Sequence, residues 1–260
     1  MRKLWCFLCL VGILFSGCKQ KQEKEKLFEK RNASETGVSF KNQLTDTPEL
    51  NILTYLYYYN GAGVATGDFN NDGLPDLYFT SNQESDRLYL NNGNLKFSDV
   101  TEVSKIDNSS GWTTGVTHVD INNDGWLDIY VCKVGNYQNI KGKNLLYVNQ
   151  GVDENGVPSF KEEAEKYNLG FSGFSTQVAF FDYDLDGDLD MYLLNHSVKP
   201  NRTYGKGSKR KQIDSLSGDI LFRNDAGKFI DVSQEAGIFQ GSIGYGLGIG
   251  ISDVNNDGYP

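Results

Sequence analysis

The chain has 260 residues and is acidic, with 34 Asp and Glu residues against 25 Lys and Arg residues and a formal net charge of −9. This balance argues against a nucleic-acid partner, because nucleic-acid binding calls for a basic face. Cys132 is the one cysteine outside the first eighteen residues, so it has no disulfide partner in the remainder of the chain. We predict that Cys132 is a small buried hydrophobe and that disulfides do not stabilise the fold.

The first eighteen residues have the pattern of an export signal. Arg2 and Lys3 form a positive start, residues 4–15 form an apolar run too short to span a bilayer comfortably, and Ser16, Gly17 and Cys18 follow. The segment resembles a bacterial lipoprotein signal peptide, in which the cysteine is lipidated and becomes the mature N-terminus. That resemblance implies that the protein is exported and is anchored in the outer membrane of the cell envelope by a lipid on Cys18. The lipid anchor would be its one contact with the membrane. An ordinary secretory signal cut nearby is the alternative.

Residues 19–36 are rich in Lys, Glu and Gln and contain few apolar side chains, which is typical of a flexible tether. We predict that the folded part covers residues 37–260 and starts with a strand at 38–40. An aromatic cluster follows, and we expect it to pack a first strand, with a sugar-stacking platform as the alternative. Its members are Tyr55, Tyr57, Tyr58 and Tyr59.

Four short stretches, at residues 68–76, 120–128, 182–190 and 253–260, share one spacing of oxygen-bearing side chains. Each has Asp at position one, Asn or Asp at position three, Asp at position five and Gly at position six, and the first three stretches have Asp at position nine. The candidate ligands are Asp68, Asn70, Asp72 and Asp76; Asp120, Asn122, Asp124 and Asp128; Asp182, Asp184, Asp186 and Asp190; and Asp253, Asn255 and Asp257. Calcium takes six to eight oxygen ligands, and glycine allows the sharp turn that such a loop needs. Carboxylates this close together would repel each other without a cation, so the repeated pattern predicts calcium-binding loops.

These loops differ from the calcium loop of an EF-hand. An EF-hand requires an acidic residue at position twelve and a helix on each side. Position twelve is Phe79, Val131 and Leu193 in the three complete loops, and short runs of β-branched and aromatic residues flank them. Such runs are strand signals, so each loop is predicted to connect two strands.

A second signature of two further strands follows each complete loop. It occupies residues 88–101, 146–163 and 221–233, and the loops begin at residues 68, 120, 182 and 253. Four antiparallel strands repeated at this spacing predict an all-β fold, a β-propeller of four-stranded blades. Propellers close with roughly four to eight blades. Three units and the first strand of a fourth therefore predict a propeller that is incomplete in this chain, the N-terminal part of a larger one.

The units resemble the FG-GAP repeats of integrin α-chain propellers and the VCBS repeats of bacterial surface proteins. Residues 61–73, followed by 88–93 and 97–101, are similar to the cartilage acidic protein family, many of whose members carry a C-terminal ASPIC/UnbV module. The resemblance implies an integrin-like propeller with bound Ca²⁺ that recognises a protein or a glycan.

No motif of a nucleophilic hydrolase, a phosphate-binding loop or a zinc site occurs in the sequence. We expect the only two histidines, His118 and His196, to be structural, and we expect the chain not to be an enzyme. The leading hypothesis is a calcium-binding propeller module of an envelope lipoprotein that binds a protein or a glycan. One alternative is the scaffold of an enzyme acting on polysaccharide, with its catalytic part beyond residue 260. Another is a spacer without a ligand.

Overall fold

The computed structural model describes residues 26–107, 111–198 and 211–260. The chain divides into two units, Met1–Asn32 and Ala33–Pro260. Residues 26–32 of the first unit are exposed. The predicted signal peptide, Cys18 and residues 19–25 of the predicted tether lie outside the described residues. Among residues 26–107, 111–198 and 211–260, no helix is long and apolar enough to cross a bilayer.

The described part of the second unit contains two one-turn helices and twelve strands. The helices are α1 (Ala33–Thr36), at the end of the predicted tether, and α2 (Ala164–Tyr167). The strands are β1 (Val64–Gly67), β2 (Asp76–Phe79), β3 (Arg87–Asn91), β4 (Phe97–Asp99), β5 (Trp112–Val119), β6 (Asp128–Val134), β7 (Leu145–Val152), β8 (Pro158–Glu162), β9 (Ser175–Phe181), β10 (Asp190–Asn195), β11 (Ile220–Asn224) and β12 (Phe229–Asp231).

These strands form three antiparallel sheets of four consecutive strands each: β1–β4, β5–β8 and β9–β12. In every sheet, the first two strands are joined by one of the aspartate-rich loops. The first two strands have the same register in each sheet: the residue before the loop pairs with the aspartate at position nine. These pairs are Gly67 with Asp76, Val119 with Asp128 and Phe181 with Asp190. The predicted unit of strand, loop and three further strands is therefore confirmed.

The middle sheet is covered on both faces, and every residue of its strand β6 is buried. Side chains alternate between the faces of a strand. Ile129 and Val131 accordingly join a core shared with the first sheet, whereas Tyr130 and Cys132 join a core shared with the third. Cys132 is fully buried and unpaired, as predicted, and burial raises the pKa of its thiol. The three sheets thus pack face to face in chain order.

The first strands of the sheets, β1, β5 and β9, lie next to one another. Glycines permit this approach, since a Cβ added at Gly115 on β5 would lie 2.2 Å from the carbonyl oxygen of Thr176 on β9. Two threonine side chains of β5 also reach across. Thr114 donates to the carbonyl of Ser175 (2.8 Å) and Thr117 to that of Val178 (3.2 Å). These contacts join the second and third sheets at this edge.

The tyrosine cluster packs as expected but not in a strand. Residues 52–59 form turns, apart from Tyr55 itself, which has no regular assignment. Tyr55 and Tyr58 are fully buried against Trp112, with ring centroids 5.5 and 5.2 Å apart, while Tyr59 is exposed. Irregular backbone can bury aromatic side chains when neighbouring sheets provide the surface, and here it caps a separate aromatic core.

Two other expected strands are absent from the described residues. Residues 38–40 have no regular structure, and Phe40 instead stacks on Phe79 of β2 at a centroid distance of 5.0 Å. The segment before the fourth loop makes only isolated bridges, such as that between Tyr245 and His196. A strand needs a partner for its backbone groups. In the other units that partner starts at position nine of the loop, at Asp76, Asp128 and Asp190.

Candidate metal-binding loops

All four aspartate-rich loops adopt the same backbone turn. In the first, both oxygens of Asp68 accept backbone N–H groups, from Asp72 at 3.0 Å and from Gly73 at 2.7 Å. Asp120, Asp182 and Asp253 accept the equivalent pairs of backbone N–H groups in the other loops, at 2.8–3.2 Å. The aspartate at position one therefore folds the loop around itself.

Positions four and six both have positive φ. Glycine at position six was expected for this reason, and Gly73 has a φ of 86°. Position four was missed in the sequence, although Asn71, Asn123 and Asn256 share it and asparagine is the side chain that best tolerates the left-handed conformation. Leu185 occupies the same conformation in the third loop, with a φ of 62°. A leucine there costs roughly 1–2 kcal/mol, so the third loop is the most strained.

The aspartate at position nine is buried and ties the loop to the third strand of its sheet. Asp76 accepts the backbone N–H of Phe69 at 2.9 Å through one oxygen and that of Asn91 at 2.8 Å through the other. Asp128 and Asp190 make the equivalent pairs of bonds, at 2.7–2.9 Å. Burial raises the pKa of Asp76 and Asp128 to about 6 despite these bonds, and it raises the pKa of Asp190 as well. Each oxygen keeps a second lone pair, so position nine can hold the loop and still face a cation.

An asparagine in the second signature completes this link. Asn91 donates from Nδ2 to the carbonyl of Pro75 at 2.9 Å, and its Oδ1 accepts the N–H of Gly93 at 3.0 Å. Asn149 and Asn224 do the same in the second and third sheets. In the sequence, this residue is recognisable only as part of a strand signature. Its recurrence as the fourth residue of each second signature was the available signal.

Positions three and five differ between the loops. Asn70 donates from Nδ2 to a carboxylate oxygen of Asp72 at 3.0 Å, and Asn122 and Asn255 donate to the matching aspartates at 2.8 Å. In these loops the amide offsets part of the carboxylate charge. To bind a cation, the amide group would rotate so that its oxygen, rather than its NH₂, faces the ion.

The third loop has an aspartate where the others have this asparagine. One oxygen each of Asp182, Asp184 and Asp190 lie within 4.8 Å of one another, the one such group of acidic, histidine or cysteine side chains found among the described residues. Oδ1 of Asp188, also in this loop, is buried and has no hydrogen-bond partner in the described structure. Burial and four neighbouring carboxylates raise the pKa of Asp188. Converging carboxylate oxygens are what a hard cation would satisfy, so Asp182, Asp184 and Asp190 fit Ca²⁺.

The first and second loops contact each other. Asn71 donates to the carbonyl of Gly125 at 3.1 Å, and Asn149 donates to the buried carbonyl of Phe69 at 2.9 Å. The predicted ligands of the first two loops thus lie along one continuous edge. The predicted lipidation site, Cys18, lies outside the described residues. In the fourth loop, Asp253, Asn255 and Asp257 repeat the local bonds, and position nine falls beyond the chain.

The comparisons with known proteins agree with this arrangement. Residues 68–131 match the family model of the FG-GAP-like repeat. The span starts at the first loop and ends inside β6, so it links the first two sheets. The chain therefore contains an FG-GAP-like repeat domain.

Its relatives are distant. Cartilage acidic protein 1 of Homo sapiens is 31% identical over 139 residues, covering 52% of this chain and 20% of the relative. The Xenopus tropicalis protein of the same name is 26% identical over 167 residues, covering 63% of this chain and 24% of the relative. The T-cell immunomodulatory protein homolog of Plasmodium yoelii yoelii is 25% identical over 247 residues, covering 78% of this chain and 34% of the relative. The chain spans about a fifth to a third of the length of these relatives, to which it is distantly homologous.

Proposed function

We propose that this chain is part of a calcium-stabilised β-propeller that serves as a binding module for a protein or a glycan. The observation that carries the proposal is the third loop, where three carboxylates converge beside the unpartnered Oδ1 of Asp188. Without a cation these charges repel each other and the buried acceptor is unsatisfied. A calcium ion held by Asp182, Asp184 and Asp190 would remove the repulsion among these three carboxylates.

The propeller part of the proposal is supported by the packing of the sheets. Blades of a propeller are four-stranded sheets that stand face to face around an axis. Here the three sheets pack in chain order, and their first strands β1, β5 and β9 gather at one edge. The match of residues 68–131 to the FG-GAP-like repeat supports the same architecture.

Calcium dependence is tested by thermal unfolding of the whole chain with calcium, with magnesium and with excess chelator. A ligand that binds only the folded state adds about 2.7 kcal/mol per site at 100 times its dissociation constant. We expect calcium to raise the midpoint, and we expect Asp182→Asn to reduce that rise. Asp225→Asn is the matched control, because Asp225 is exposed, lies outside the loops and makes an ion pair with Arg223. An unchanged midpoint with chelator would refute the calcium proposal.

A binding role is favoured over a catalytic one by the environment of His196. Its ring is fully buried, with Nε2 3.0 Å from the hydroxyl of Tyr55 and Nδ1 3.0 Å from that of Thr176. Burial lowers its pKa to about 3, so the imidazole is neutral near pH 7. These features support the structural role expected for it. The net charge of −9 supports a partner other than nucleic acid.

We further propose that the protein is exported and lipid-anchored at Cys18 in the bacterial envelope. The support is the charged, then apolar, then Ser-Gly-Cys order of residues 1–18. Labelling with a fatty-acid analogue in a bacterial host should mark the wild type and not Cys18→Ala. Equal labelling of the two would overturn the anchor and leave the calcium proposal untouched.

A further inference from the structure

The first strands of the three sheets, together with the turn that follows the tyrosine cluster, border an open cavity of about 450 Å³. β1 contributes Val64, β5 contributes Thr114 and Val116, and β9 contributes Thr176 and Gln177. Pockets that hold small ligands measure about 300–1,000 Å³ and favour places where several elements converge. The cavity is therefore large enough for a small molecule, and its wall comes from all three sheets.

The lining of this cavity combines polar and apolar surface and carries no formal charge. None of its described lining residues is Asp, Glu, Lys, Arg or His. His196, which stacks behind Tyr57 at a ring-centroid distance of 3.9 Å, is neutral, as shown above. A charged ligand would thus enter without a counter-charge, and burying an unpaired charge is costly. The occupant must be neutral.

An apolar occupant fits no better. The side-chain amides of the exposed Asn60 and the half-buried Gln177, and the hydroxyl of Tyr57, make no hydrogen bond to the described residues and are open to a ligand. An apolar molecule would cover these groups and leave them unpaired, which costs about 1–3 kcal/mol for each buried group. A ligand with several hydroxyl groups would satisfy them, and the aliphatic surface of Val64 and Val116 suits the apolar face of a sugar ring.

A peptide added as an extra strand is disfavoured by the strand edges. Strand addition needs an exposed edge whose N–H and C=O groups are free. The inner edge of β9 faces β5, and Thr114 and Thr117 already donate to the β9 carbonyls of Ser175 and Val178. At Gly115 the two backbones are so close that even a Cβ would collide. No further strand fits between β5 and β9.

We propose that this cavity is a binding site for a neutral saccharide, held by the amides of Asn60 and Gln177 and by the hydroxyl of Tyr57. The proposal rests on the proposed function and selects the glycan from its two classes of ligand. It places recognition at the edge where the first strands meet, away from the aspartate-rich loops. Calcium would stabilise the walls of the site without touching the sugar.

The test is a titration of the whole chain, in calcium, with cellobiose, maltose, lactose and N,N′-diacetylchitobiose, followed by calorimetry. A disaccharide containing glucuronic acid and a short uncharged peptide serve as competing classes. At least one neutral disaccharide should bind at millimolar concentration or below, and Gln177→Ala should weaken it by ~3- to 10-fold, the range of one lost hydrogen bond. Asn60→Ala together with Gln177→Ala should weaken it further.

The matched control is Gln234→Ala, because Gln234 is an exposed glutamine outside the cavity and should leave binding unchanged. The calcium-dependent midpoint is measured for every variant. If that midpoint still rises in Gln177→Ala while saccharide binding falls, the saccharide site is supported separately from the calcium proposal. Three results would overturn the site: no neutral disaccharide binds, Gln177→Ala and Gln234→Ala bind alike, or only the acidic disaccharide or the peptide competes at Gln177.

Discussion

Replacing Gly115 with alanine should destabilise the unit formed by the three sheets. Gly115 lies on β5, where the backbone of β9 comes so close that a Cβ would sit 2.2 Å from the carbonyl oxygen of Thr176 and 3.3 Å from its carbonyl carbon. Real Cβ contacts are essentially never shorter than 3.0 Å. The obstacle is backbone, so it cannot turn aside as a flexible side chain would.

The size of the effect follows from that geometry. The second and third sheets must separate by about 1 Å at this edge to admit the methyl group, and overpacking of this kind costs typically ~1–3 kcal/mol. Separation also lengthens the bonds from Thr114 and Thr117 to the β9 carbonyls, now 2.8 and 3.2 Å, each worth about 0.5–1.5 kcal/mol. We therefore expect a loss of about 2–4 kcal/mol.

The assay is urea unfolding of the whole chain at constant calcium, followed by tyrosine and tryptophan fluorescence. Gly250→Ala is the control, because nothing lies within 4 Å of its added Cβ and its φ is not positive. There the lower entropy of the unfolded chain should leave stability unchanged or raise it by about 0.4–1 kcal/mol. If the two variants have the same unfolding midpoint, the close approach of β5 and β9 is not what glycine provides at this place.

Three other predictions concern the loops and the buried histidine. Asp128→Asn should lower the free energy of unfolding by about 1–3 kcal/mol even in chelator, because the amide cannot accept both backbone N–H bonds. Asp124→Asn, at the exposed position five, should reduce mainly the calcium-dependent part of the stability. Equal losses of stability in chelator would contradict the double role of position nine. Asp184→Asn should weaken calcium binding by the third loop, because it removes one of three converging charges. The measurement is a calcium titration of the variant and the wild type. Equal affinities would show that ligand charge does not set the affinity of this loop. The pKa of His196 is about 6.5 in the unfolded chain and about 3 in the folded one. Between these two pH values the unfolded state therefore binds more protons than the folded state. The free energy of unfolding accordingly decreases as the pH drops below 6.5. At pH 5 the loss should be about 2 kcal/mol, and His196→Gln should remove it from the pH profile measured in urea; identical profiles would refute it.

Local patterns predicted much of this fold. The antiparallel unit of four strands, and the places of β1, β2, β6 and β10, follow from short apolar runs separated by turn residues, which act within a few residues of each other. The loops follow equally from local rules, since Asp at position one and Gly at position six form their bonds inside nine residues. The buried state of Cys132 was expected from its place in an apolar strand.

Segments that depend on distant partners were predicted less well. Val38 and Phe40 have strand-like side chains, but Phe40 finds its contact by stacking on Phe79 and has no backbone partner. The tyrosine cluster was read as part of a strand because aromatic residues favour half-buried strands. Its conformation is instead set by Trp112, more than fifty residues away, against which the turn closes.

By itself, the sequence determined which residues form the loops and which strands pair in each sheet, because both depend on spacing within a short stretch of chain. Only the tertiary structure decided what depends on how the sheets meet. It made position nine a link to the third strand through Asn91, placed His196 beyond the reach of solvent, and gathered Thr114, Gln177 and Asn60 around one cavity. Asp76 and Asn91 are separated by 15 residues along the chain, and Asn60, Thr114 and Gln177 by more than fifty from one to the next. No periodicity in a sequence encodes a contact between two different sheets.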